Sequence, residues 1–254
     1  MSLAHFIAIL LAGTAAGTIN TVVGSGSLIT FPTLVALGYP PLLANVSNNI
    51  GLVPGSFSGA YGYRRELVGQ RPRLRRLVPA SALGGLGGSL LLLALPSGVF
   101  KKVVIVLIAL ALVLVIVQPR VTRWLQSRRG EHTGHRDVTP LTMGLVCAAG
   151  VYGGYFGAAQ GIILVAILGI LIDDQLQRLN ACKNVLALTV NAIASCVFIV
   201  TTQVDWKVVG VIAIGSTIGG QIGAKVGRRL DPRWLRALIV VVGTTALVRL
   251  LLNS

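Results

Sequence analysis

Leu43-Ala-Asn-Val-Ser-Asn-Asn-Ile50 returns in altered form as Leu179-Asn-Ala-Cys-Lys-Asn-Val-Leu186. The offset is 136, which pairs Ser47 with Lys183 and Asn48 with Asn184. A second echo joins Ser81-Ala-Leu-Gly-Gly-Leu-Gly-Gly88 to Ser216-Thr-Ile-Gly-Gly-Gln-Ile-Gly223, at an offset of 135. Two related halves are therefore expected. Inverted internal repeats are common in secondary transporters, which bind substrate between the copies near the bilayer midplane.

Composition places the chain in a membrane. Hydrophobic residues make up 54% and charged residues 11% of the chain, with a mean hydropathy of +0.81. A soluble domain carries about 25% charged residues. The net charge of +15 sits in short loops between apolar stretches, as the positive-inside rule describes. No nucleic-acid recognition motif accompanies it. Met1–Ala16 lacks the basic start of a signal peptide and reads as a retained first helix. Cys147, Cys182 and Cys196 read as small packing residues, and His132 and His135 as part of a solvated loop.

A bilayer core of about 30 Å needs about 20 apolar residues per crossing helix. Residues 44–63, 77–95, 99–117, 185–202, 208–224 and 234–252 meet this. Residues 3–37 and 141–172 are instead interrupted, at Gly24-Ser25-Gly26-Ser27 and at Gln160-Gly161. The remainders, Leu28–Leu37 and Ile162–Ile172, reach about halfway across at 1.5 Å per residue. Each half is thus expected to hold a broken, re-entrant hairpin and three transmembrane helices. The expected fold is all-α and polytopic, with repeats at 1–117 and 139–254 and a basic cytoplasmic linker at 118–138.

Loop charge predicts the orientation. Residues 64–76 carry a net +5 and their counterpart, 202–207, carries zero. Residues 96–102 carry +2 and their counterpart, 225–236, carries +4. The heavily basic loop comes first in one half and second in the other, which opposite orientation predicts. Arg-rich loops then face the cytoplasm and both termini face outward.

Several residues carry candidate chemistry, each beside a plainer reading. The Gly24 break frees backbone N–H groups that suit an anion, or it is a structural turn buried in protein. Asn45, Ser47, Asn48, Lys183 and Asn184 are polar groups within spans, which usually face the protein interior. Lys183 is either a counter-charge for an anion or a lysine snorkelling to the membrane edge. Asp173-Asp174 is a solvated turn or, less simply, a proton-coupling carboxylate. Gly215, Gly219, Gly223 and Gly227 form a packing stripe on one helix face. Nothing resembles a nucleophile–base pair, a metal cluster or a nucleotide loop, so neither enzyme chemistry nor a cofactor is expected.

The quoted residues resemble the TauE/SafE sulfite exporter family, also called the toluene-sulfonate uptake permease family. Gly17-x-x-Asn-x-x-x-Gly-Ser-Gly-Ser-Leu-Ile-Thr-Phe-Pro32 and Leu37-Gly-Tyr-Pro-Pro-Leu-Leu-Ala-Asn-Val-Ser-Asn48 carry the resemblance in the first half. Gly153-Gly-Tyr-Phe-Gly-Ala-Ala-Gln-Gly161 and Leu179-Asn-Ala-Cys-Lys-Asn184 carry it in the second. It implies a bacterial inner-membrane transporter of sulfite, thiosulfate, sulfonate or sulfoacetate type anions. The expected site comprises Asn20, Gly24, Ser25, Gly26, Ser27, Asn45, Ser47, Asn48, Gln160, Gly161, Lys183 and Asn184. A coupling proton or sodium ion and a homodimer are possible partners. The alternative is an anion channel or a non-transporting membrane scaffold.

Overall fold

The computed structural model describes residues 1–127, 138–226 and 232–252, which form ten helices. In chain order these are α1 (Leu3–Val22), α2 (Ser27–Ala36), α3 (Pro41–Gly62), α4 (Arg71–Ala94) and α5 (Ser97–Ser127). They are followed by α6 (Pro140–Tyr155), α7 (Gln160–Leu171), α8 (Leu176–Thr201), α9 (Trp206–Val226) and α10 (Pro232–Leu252). No strand occurs among the described residues. Six helices (α1, α4, α5, α8, α9 and α10) include stretches long and apolar enough to cross a membrane. α2 and α7 are short apolar helices of 10 and 12 residues. The protein is a multi-pass, all-helical membrane protein.

Two expected boundaries move. Residues 64–76 are not all loop, because α4 begins at Arg71. The stretch from residue 118 is likewise still helical, because α5 runs through Pro119 to Ser127. Arginine is a strong helix former, so a fall in hydropathy did not mark a helix end. His132, His135 and Gly227 lie outside the described residues.

Helices from the two ends of the chain interleave. α1 packs along α9 and α6 along α4, while α3 and α8 contact each other. The packing uses backbone-to-backbone approaches. A Cβ on Gly219 would sit 2.0 Å from the Thr14 carbonyl oxygen, and one on Gly88 would sit 2.0 Å from that of Val151. Small residues of this kind let helices close up where lipid offers no hydrophobic drive for association.

The hydrogen bonds follow the same exchange. Ser81 of α4 donates to the Leu186 carbonyl of α8 at 3.1 Å. Ser216 of α9 donates to the Gly51 carbonyl of α3 at 2.9 Å. The two donors are paired serines of the second echo (81 to 216), and the acceptor Gly51 lies one residue from Ile50, the counterpart of Leu186 in the first echo.

Candidate functional site

α1 stops because Gly24 turns left-handed, with φ at +90°. The N–H groups of Val23 and Gly24 both fold back to the Ile19 carbonyl, at 2.7 and 3.0 Å. Gly26 then lies so close to α1 that a Cβ would be 2.3 Å from the Ala16 carbonyl oxygen. α6 stops similarly, with Gly157 at φ +77° and Ala159 at φ +62°. A non-glycine residue in that region is uncommon and often marks a functional constraint.

The two breaks touch. Gly161 donates its N–H to the Gly24 carbonyl at 3.0 Å. A Cβ on either glycine would come within 2.5 Å of the other's Cα.

A helix end leaves its last carbonyls without intrahelical donors. Side chains from the other end of the chain supply them. Lys183 donates to the Asn20 carbonyl at 3.0 Å and to the Thr21 carbonyl at 3.3 Å. Asn180 and Asn184 also donate to Thr21, at 3.3 and 3.4 Å. Reciprocally, Asn45 of α3 donates to the Tyr155 carbonyl at the end of α6, at 3.2 Å.

Lys183 is fully buried, which rules out snorkelling to the membrane edge. Its stem passes Gly161, whose added Cβ would lie 3.0 Å from Lys183 Cδ. A cation at a helix C-terminus also suits the macrodipole. Asn48 accepts a hydrogen bond from Thr30, and Asn20 donates to Ser56 at 3.3 Å. Gln160 packs on Gly153, and Ser27 is buried at the first position of α2. Among the buried polar atoms with no hydrogen-bond partner in the described residues are Ser25 Oγ, Ser47 Oγ, Gln160 Nε2 and Tyr155 Oη. Ser25 follows Gly24 and Gln160 precedes Gly161, so two of them flank the contact between the breaks.

Two hydroxyl residues of this layer, Ser56 and Ser195, were not anticipated. Asn191 donates to Ser56 at 3.5 Å, and Ser195 donates to Asn49 at 3.0 Å. Their signal is helical spacing. Asn45, Asn49 and Ser56 share one face of α3, and Asn180, Asn184, Asn191 and Ser195 share one face of α8.

Arg73 pairs with Asp174 at 2.7 Å, and Arg178 pairs with the same carboxylate at 2.8 Å. Burial alone would raise this carboxyl. Hydrogen bonds from Arg73 and the Gln175 N–H, with both arginine charges, outweigh burial and hold it below the usual carboxylate range. At the same end of the molecule lies a cavity of about 860 Å³, lined in part by Val22, Val23, Gln118, Arg123, Asn180 and Arg236.

Residues 9–250 match the family model described as sulfite exporter TauE/SafE. The chain belongs to this family. It is 30% identical over 252 residues to a probable membrane transporter protein, ORF9, of Sinorhizobium sp., covering 97% of this chain and 93% of the relative. It is 28% identical to a probable membrane transporter protein of Haemophilus influenzae, covering 91% and 88% of the two chains. YfcA of Escherichia coli K12, also a probable membrane transporter protein, is 24% identical with coverage of 94% and 87%. The TauE/SafE chain described here is thus a member of a membrane transporter family and not an enzyme.

Proposed function

We propose that this TauE/SafE protein is a secondary transporter of small sulfur-containing anions in the bacterial inner membrane. In this reading its halves, 1–117 and 139–254, are inverted repeats. The exchanged Ser81 and Ser216 bonds support that relation. The substrate sits where the breaks meet, and alternating access carries it across.

One observation carries the reading. Ser25 Oγ, Ser47 Oγ and Gln160 Nε2 are buried without partners in the same polar layer as Lys183. Such groups cost free energy unless something satisfies them. Each can donate a hydrogen bond, and oxyanion oxygens accept them. The N-termini of α2 and α7 add partial positive charge, and neither has a side-chain cap.

The cavity beside Asn180 serves as access from the side of the basic loops, which this reading places in the cytoplasm. A proton or sodium gradient drives the cycle. Purified protein in liposomes tests the proposal with labelled sulfite, thiosulfate and methanesulfonate. Saturable uptake with counterflow is expected of at least one of the three anions. Unsaturable flux without counterflow would make the protein a channel, and no flux at all would make it a scaffold.

A further inference from the structure

We infer that the site discriminates by charge state, accepting oxyanions of one negative charge and rejecting dianions of the same shape. This rests on reading the contact between the breaks as the substrate site.

The basis is the charge enclosed there. Four helix ends converge: the C-termini of α1 and α6 and the N-termini of α2 and α7. Each helix end carries about half a unit of charge, negative at C-termini and positive at N-termini, so the four cancel. Lys183 is the one charged side chain among the buried described residues. α1, α2, α3, α6 and α7 contain no Asp, Glu, Lys or Arg, and His5 lies at the far end of α1. The enclosed charge is therefore at most about +1, reached when the Lys183 amine held between two carbonyls is protonated.

The remaining donors, on Ser25, Ser47 and Gln160, are neutral. A monoanion brings the site to neutrality. A dianion leaves one negative charge uncompensated in a region nearly closed to water, where Ser25, Ser47 and Gln160 are 0%, 1% and 3% exposed. Burying an unpaired charge is unfavourable unless a second cation accompanies it. Shape and hydrogen bonding alone would not separate the two classes, because both present tetrahedral sulfur with oxygen acceptors.

The test uses the full-length protein in detergent at one neutral pH, titrated with methanesulfonate or with sulfate by calorimetry. These anions are alike in size and differ by one charge. Methanesulfonate should bind saturably, and sulfate should bind at least about tenfold more weakly. Lys183→Gln should weaken methanesulfonate and narrow the gap. A Ser25→Ala, Gln160→Leu variant should weaken methanesulfonate while leaving the charge of the site intact. Sulfate binding as tightly as methanesulfonate would overturn charge-state selection and leave the site standing. Binding of neither anion, or methanesulfonate binding unaffected by the Ser25 and Gln160 changes, would overturn the site and this inference with it.

Discussion

Gly24 and Gly161 meet backbone to backbone, and the N–H of Gly161 donates to the carbonyl of Gly24 at 3.0 Å. The two interruptions of the chain are thereby one structure. Neither glycine has room for a methyl group, and Gly24 also needs its left-handed backbone.

Gly24→Ala should consequently be the more damaging of two alanine substitutions at this contact. It combines steric overlap with a strained φ, at a cost of about 1–3 kcal/mol for the backbone alone. Gly161→Ala meets the overlap without the strained φ. Thermal unfolding in detergent should rank wild type above Gly161→Ala, and that above Gly24→Ala.

Lys183→Met tests the cap on α1. The Thr21 carbonyl keeps Asn180 and Asn184 as donors, but the Asn20 carbonyl loses the ammonium. Loss of about 1–3 kcal/mol is expected, as for a buried group left unsatisfied. Hydrogen exchange should rise at the end of α1 more than in α4.

The Asp174 pair makes stability depend on acid. A depressed folded-state pKa means the stabilisation is present above the unfolded value of about 4 and is lost as pH falls through the folded value. At neutral pH Asp174→Asn should lose on the order of 1 kcal/mol, modest because the pair is partly solvated. As pH falls from about 4 to below the lower folded-state value, the melting curves of variant and wild type should converge. A gap that persists there would separate Asp174 from the acid response.

Orientation can be read with single cysteines in a background lacking Cys147, Cys182 and Cys196. Arg71 and Gln203 are exposed at connections that the inverted arrangement places on opposite sides. Arg71→Cys should label only from the cytoplasmic side and Gln203→Cys only from outside. Labelling of both from one side would break the inverted arrangement.

Most of the helical framework was legible because hydropathy and glycine breaks are local signals. The short helices expected at 28–37 and 162–172 occur at Ser27–Ala36 and Gln160–Leu171. Helix ends were misread where arginines continue a helix beyond its apolar stretch, as at Arg71 and after Val117. The polar cluster was visible as composition, but its pairing was not. Lys183 and the Asn20 carbonyl are 163 positions apart, and no spacing rule joins a side chain to a backbone group at that distance. Ser25, Ser47 and Gln160 stood among the candidates, yet only packing distinguishes them from Asn48, which Thr30 already satisfies.

The reciprocal caps also bear on how the chain is made. α1 leaves the ribosome first, but the donors for its last carbonyls arrive with α8, and those for α6 are already waiting on α3. The first half therefore enters the bilayer with an unfinished helix end that only later synthesis completes. Two separate genes for the halves would leave each product with an unsatisfied end until it met the other. Carrying both on one polypeptide delivers the missing donors in equal number, at the same place, every time the protein is translated.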